Sequence, residues 1–416
     1  MNRELLGIVT FRRIVIARGI SALAGWAVIL ASSYLVLRLT ADPVAVGVLA
    51  LAKGLPSLLL TSYGGSLADR FDPTRVIAIS YGIRAIAIGA LAVGFWLEAV
   101  GLVAIYLATA VAGCGAALAK ASVAAMVVAP VPEHLHERAT VVTSLTYSIG
   151  AIIGPLIAGS LLAVGGIGTS FLVSALALLV VAGLALLGIN LDPANDSRRA
   201  RTAEEASARH DTASADKPQG NWWQNLRMAL ADPTLRPAFL GIGILAAGAL
   251  PVLSLAAVIA DQYGKSPILL EVILAAAGIG SLLCNLVLMR VTISHVHRIP
   301  LAAVSFVVTA IAIAIAATAP TIAVEAVAFA LLAASANLLW VMTSAVIQTG
   351  STPATRGPMN GIFYTIASAG TSIGALLMAE FMNLVGIPDT LLAYAALLLL
   401  VGALTALRRH SFADSR

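Results

Sequence analysis

The chain has 416 residues, 60% of them hydrophobic and 11% charged, with a formal net charge of +5 and a mean hydropathy of +0.97. Soluble domains carry roughly 25% charged residues, and no soluble core of this size absorbs so much apolar surface. The composition excludes an ordinary soluble protein and points to a bilayer.

In chain order, apolar blocks predict spans near residues 14–38, 47–68, 75–97, 102–129, 139–163 and 169–190, then near 235–259, 268–290, 300–318, 321–348, 359–384 and 390–407. A helix crosses a bilayer with about 20 apolar residues. In lipid only helices and closed barrels satisfy the backbone, and these blocks lack the alternating polarity of barrel strands. The expected fold is an all-α integral membrane protein of twelve transmembrane helices, with six-helix bundles over 1–190 and 235–416 and a linker over 191–234. Arg12 and Arg13 before the first block imitate a secretory signal, yet the apolar run continues through Leu37, too long for a signal core.

Between Asp192 and Gly220 large apolar residues nearly vanish, as in disordered tethers. The following Trp222-Trp223-Gln224-Asn225-Leu226-Arg227 reads as a short amphipathic helix on the membrane surface. With the N-terminus inside, the outer loops hold only Arg38 and Lys265. The opposite face holds Arg3, Arg12, Arg13, Arg70, Arg75, Arg138, Arg290, Arg298, Arg356, Arg408, Arg409 and Arg416. Basic residues are retained in the cytoplasm, so both termini and the linker are expected there, in a multi-pass protein of the inner (plasma) membrane. The positive charge is then a topology signal, and no nucleic-acid partner is expected.

The two halves repeat. Pro43, Gly54 and Ser57 recur 224 residues later as Pro267, Gly278 and Ser281, and Gly150 and Gly154 recur 220 residues later as Gly370 and Gly374. Six spans per half give both copies one orientation, so the halves are related by an axis along the membrane normal, an arrangement of transporters with a site between the repeats.

The loop after the second span reads Gly65-Ser66-Leu67-Ala68-Asp69-Arg70-Phe71-Asp72-Pro73-Thr74-Arg75 and resembles the G-x-L-A-D-R-x-G-R-R signature of the major facilitator superfamily. Phe11, Leu39-Thr40, Ala45-Val46-Gly47 and Arg356-Gly357-Pro358-Met359-Asn360 look most like its branch of bacterial siderophore and drug exporters, the enterobactin-exporter-like branch. Physically, Gly65 permits close helix packing, Asp69 can accept from a helix N-terminus, and Arg70 and Arg75 can pair with acids or lipid phosphate, forming a conformational latch. Asp72-Pro73-Thr74 replaces Gly-Arg-Arg and leaves fewer basic partners. In the fifth span Gly150, Gly154, Pro155 and Gly159 resemble the superfamily's antiporter motif, with Thr143 at its upstream glycine, and this resemblance implies export; plain helix packing explains the same spacing.

Ionisable residues inside spans are functional candidates. Arg84 and Lys120 lie deep and are expected to line the pathway or pair within it, while Arg18 sits about one turn from the cytoplasmic end. Lys53, Glu271 and Glu325 are assigned to the outer boundary, where interfacial solvation explains them, and Glu380 is the acid with a claim to intramembrane depth. Exporters of the resembled branch often carry an acid after a first-span glycine, but Trp26 follows Gly25 here, so proton coupling through Glu380 or Asp69 stays open. Asn337, Trp340, Ser344 and Gln348 form a polar stripe at helical spacing in the tenth span, and Tyr34, Tyr147 and Tyr364 offer rings and hydroxyls.

His134, His136, His295 and His297 make weak metal spacing, Cys114 and Cys284 are isolated, and no phosphate-binding loop is present. The expectation is a monomeric secondary transporter without cofactor, metal or catalytic residues, exporting a small amphipathic molecule. An uptake symporter or uniporter, and a non-transporting membrane sensor of the same fold, remain alternatives.

Overall fold

The computed structural model describes residues 8–128, 130–132, 135–190, 222–232, 235–291, 298–351 and 353–413. The chain is α-helical throughout these residues. The first half comprises α1 (Val9–Thr40), α2 (Pro43–Arg70), α3 (Pro73–Trp96), α4 (Leu102–Val128) and α5 (His136–Asn190). After the short α6 (Trp222–Ala231), the second half comprises α7 (Arg236–Gly248), α8 (Leu250–Ser254), α9 (Ala256–Asp261), α10 (Pro267–Leu288), α11 (Arg298–Thr318), α12 (Ile322–Gly350), α13 (Pro353–Val385) and α14 (Ile387–Ala413).

Among the described residues ten helical stretches are long and apolar enough to cross a membrane. One of them, Val142–Leu187, has 46 residues and crosses twice, and α2 adds the shorter apolar stretch Pro43–Pro56. Twelve passes result. The expected break between the fifth and sixth spans falls at Gly166, where two helices within α5 meet at a kink whose φ of 77° suits a residue without Cβ. The seventh span, expected to be continuous, is broken into α7, α8 and α9. Pro251 has no N–H to carry the helix across the first break.

Local chemistry sets the other starts. Asp42 accepts from the Val44 N–H at 2.8 Å ahead of Pro43, and Ser266 accepts from the Ile268 N–H at 3.3 Å ahead of Pro267, so the repeated proline opens the second span of each half after a polar cap. Asp72 accepts from the Thr74 N–H at 2.9 Å, with Pro73 in the first turn of α3. The residues that depart from the loop signature therefore start a helix.

Packing repeats as well. In the first half α5 lies against α1 and α3, and α4 against α2 and α3; in the second, α13 lies against α7, α14 against α11, and α12 against α10 and α11. A Cβ on Gly154 would stand 2.8 Å from the Leu23 carbonyl oxygen, and one on Gly374 would stand 2.6 Å from that of Ala247. Leu23 and Ala247 are themselves 224 positions apart, so the glycines serve the same close crossing twice.

Candidate functional site

Two seams join the bundles, α2 against α13 and α5 against α10, and the repeat exchanges one for the other. Both are tight in the half remote from the chain termini. A Cβ on Gly47 would meet the Leu376 Cα at 2.9 Å, one on Gly278 would meet the Ala151 carbonyl carbon at 2.8 Å, and Ser368 donates to the Gly54 carbonyl at 3.3 Å. Glu271, which occupies the position equivalent to Gly47, packs into the notch left by Gly159. At the remote end Arg38 pairs with Asp261 at 2.8 Å, the Tyr34 hydroxyl donates to the Lys265 carbonyl at 3.0 Å, and the Arg38 guanidinium lies over the Tyr34 ring at 4.8 Å.

These contacts bridge the bundles, so charge reversal tests them. Arg38→Asp alone is expected to open the remote end, read as faster thiol labelling of a cysteine placed at the buried Leu37. Adding Asp261→Arg restores slow labelling. A partly exposed pair contributes on the order of 0.5–1 kcal/mol, so about a two- to five-fold change in labelling is expected, and failure of the double variant to recover would remove the assigned role.

Toward the middle of the molecule cationic and aromatic side chains of the two bundles come together. Lys120 of α4 places its Nζ 4.3 Å from the centroid of Tyr364 on α13, reaching from one bundle to the other. Tyr364 feels the charge of Arg18, and Tyr147 the charges of both Arg18 and Arg84. Arg84 rests on Tyr81 at 5.0 Å, beside Gly25 and with its stem over Gly115. Trp26 faces Tyr147 at 6.3 Å, and Trp340 packs on Phe363 at 4.8 Å and Tyr364 at 6.1 Å. Lys120 and Tyr147 are solvent-exposed although surrounded by protein, which marks a water-accessible space. A cavity of about 320 Å³ lies within the first bundle, lined by Thr10, Arg13, Arg18, Tyr81, Met126 and Val181.

The expected residues divide accordingly. Arg18, Arg84, Lys120, Tyr147, Trp340 and Tyr364 come together. Arg18 lies nine residues after Val9, the start of α1. Lys53, expected at the outer boundary, instead projects into the same water-accessible region, close enough to Arg84 for the two charges to repel. Tyr34 belongs to the remote closure and not to the cavity. Glu380 is exposed on the outside of α13 rather than held at depth. Glu325 is fully buried and Glu271 nearly so, which overturns interfacial solvation for both.

Asn337 donates to Asn285 at 2.8 Å, and Asn285 donates to Ser148 of the other bundle at 3.1 Å. The expected stripe thus splits: Asn337 joins a helix-to-helix relay, Trp340 turns to the aromatic group, Ser344 is half-buried, and the Gln348 side chain lies outside the described residues. Asn285 escaped the sequence reading, although a lone amide in an apolar span was the available signal. Of the latch, Arg75 is exposed on the first turn of α3, whereas the surroundings of Gly65, Asp69 and Arg70 lie outside the described residues, as do the Arg356 side chain and the linker over 191–221. Gly150, Gly154 and Gly159 are contact points, with α1 for the first two and with Glu271 for the third, and Pro155 lies within α5.

A sequence profile described as Major Facilitator Superfamily matches residues 14–255. Enterobactin exporter EntS of Shigella flexneri is 34% identical over 108 residues, and the protein of that name in Escherichia coli O1:K1 matches equally. The match spans 26% of this chain and about a quarter of the length of those relatives. Among solved structures, a POT family transporter in complex with a thioalcohol-conjugated peptide aligns with a TM-score of 0.73 at 9% identity, covering 97% of this chain and 96% of that one. A bacterial homologue of the human lysosomal transporter Spinster, inward-facing and occupied, aligns with a TM-score of 0.71 at 13% identity, covering 100% and 99%. At these identities the structures share the fold.

Proposed function

Because the chain belongs to the Major Facilitator Superfamily, we propose that this multi-pass membrane transporter is a secondary exporter of a small amphipathic molecule, working by alternating access. The observation that carries the proposal is the cluster of charged and aromatic side chains between the bundles. Lys120 of one half reaches Tyr364 of the other there, near Arg18, while the seams beyond are closed at the remote end. Arg38–Asp261 and Tyr34–Lys265 shield the site from the remote side, and loosening them would expose it there.

Export, rather than uptake, is supported by the Gly150, Gly154, Pro155 and Gly159 pattern and by the partial similarity to enterobactin exporters. On this reading the termini and linker face the cytoplasm of a bacterial inner membrane, a monomer suffices, and Gly65, Asp69, Arg70 and Arg75 latch the cytoplasmic side. Proton-coupled antiport remains one way to drive it.

The test compares accumulation of a panel of drugs and siderophores in cells with and without the protein, each with and without an uncoupler. Lower accumulation that the uncoupler abolishes is expected. Higher accumulation in protein-bearing cells would reverse the direction, and no difference for any compound would count against transport.

A further inference from the structure

Arg18, Lys53, Arg84 and Lys120 share one region, and among the described residues none of them has a carboxylate within ion-pair distance. The acids of the spans are engaged or placed elsewhere: Glu271 in the α5–α10 seam, Glu325 beside Tyr263, and Glu380 on the outer surface. Asp261 is held by Arg38 at the remote end.

Unpaired charge at membrane depth is costly and is retained where it faces water or a charged ligand. Two of them also have donors that meet neither water nor a partner. Nε of Arg18 and Nε of Arg84 are buried with no hydrogen-bond partner, whereas guanidinium donors are normally met by carboxylate or phosphate oxygens. Lys120 leans on the π-face of Tyr364, the interaction left to an ammonium that has no anion beside it. Tyr81 gives Arg84 the same substitute partner. A cationic cargo would meet repulsion from every one of these groups, and a neutral cargo would leave them uncompensated when the cavity closes.

Resting on the transport reading above, we propose that the cavity binds an organic anion: a small molecule with two or more negative charges, as carboxylate, phosphate or ionised hydroxyl groups, on a planar aromatic body. Arg18 and Arg84 hold one negative group beside Tyr147. Lys120, reaching across to Tyr364, holds the second from the seam between the bundles, and Trp26 and Trp340 flank the ring. Two charges are specified because a monoanion leaves most of the positive field unbalanced. Closure around the cargo then draws on Lys120 of one half and Tyr364 of the other, so the anion itself brings the bundles together.

Fluorescein and rhodamine 123 share a xanthene ring and carry opposite charge, and they provide the probes. Fluorescence anisotropy with the purified full chain in detergent is expected to show saturable fluorescein binding that weakens as salt rises, with no saturable binding of rhodamine 123. The Arg84→Gln, Lys120→Gln double variant should lower fluorescein affinity by about 10- to 100-fold, as loss of partners to a buried charge does. Lys120→Arg, which keeps the charge, should bind fluorescein nearly as the parent does and so separates charge loss from misfolding. Preferential binding of rhodamine 123, absence of fluorescein binding, or equal affinity in the double variant would overturn the anion assignment. Counterflow of fluorescein in proteoliposomes distinguishes the two readings: binding without counterflow overturns transport and leaves the anion site standing.

Discussion

Gly278→Leu is expected to lower transport by about 100-fold or more while the protein remains folded. A Cβ at this position of α10 stands 2.8 Å from both the carbonyl carbon and the carbonyl oxygen of Ala151 on α5. The obstacle is backbone, which cannot rotate aside as a side chain can. Overpacking a tight contact costs about 1–3 kcal/mol and more where nothing yields, and an equilibrium between two arrangements shifts about tenfold for each 1.4 kcal/mol. The same substitution at Gly54, which meets Ser372 in the exchanged seam, should act in the same direction. Gly82→Leu and Gly241→Leu are the controls, since a Cβ at either meets nothing within 4 Å. Vesicle transport and thermal melting measured together decide the matter: near-parental transport in Gly278→Leu, or equal losses in the controls, would show that the seam does not limit the cycle.

The second large effect is on stability and comes from Tyr263, in the link between α9 and α10. Its hydroxyl lies 2.9 Å from the Ala319 carbonyl and 3.0 Å from Oε2 of Glu325. Glu325 is fully buried, and its Oε1 has no hydrogen-bond partner. Tyr263→Phe therefore strips the carboxyl of the one side chain bonded to it and should cost about 2–3 kcal/mol, the penalty of an unsatisfied buried polar group. Glu325→Gln keeps an acceptor for the phenol and should cost under about 1 kcal/mol. Burial, and then the neighbouring Glu325, push the Tyr263 phenol above its usual value. The neutral phenol is thus favoured by folding: its contribution is complete below about pH 10 and falls as pH rises beyond that. Melting curves across alkaline pH should accordingly be flatter for Tyr263→Phe than for the parent. Identical pH dependence in the two proteins would remove this role.

Asp261, at the end of α9, and Lys265 of the same link reach the other bundle at the remote end. Loosening Tyr263 should consequently speed labelling there, as Arg38→Asp does.

Span number and the parallel halves were legible because both rest on long-range regularities, hydropathy and a repeat offset, which survive without knowledge of any contact. Gly150, Gly154 and their partners 220 residues on were read from spacing alone, and the structure supplies what spacing cannot: the α1 and α7 backbones they admit. Depth was read less well. Glu325 and Glu271 stand near helix ends, where a linear reading assigns water, yet a neighbouring loop and a facing glycine bury them. Lys53 and Glu380 erred through the angle around the helix axis: one turns toward the cavity and the other outward, and uniformly apolar neighbours give no periodic cue to choose between them. The cluster of Arg18, Arg84, Lys120, Tyr147 and Tyr364 was found because charge inside an apolar span is conspicuous on its own. Asn285 and Tyr81 became informative only with their partners in view. The break at Pro251 was visible as a residue, but a single proline bends one helix and interrupts another, and only the surrounding packing chooses.

Exchange of the seams by the repeat bears on how such a molecule could arise. A fragment ending near Asn190 presents a notched ridge on α2, with Gly47 and Gly54, and a receiving furrow on α5 around Ala151 and Gly159. Ridge and furrow belong to one polypeptide, so two identical fragments turned half a revolution apart satisfy each other at both places. Glu271 standing where its counterpart has Gly47 is the chief mark of divergence along that line. A protein of half this length could therefore pair with its own copy along both seams.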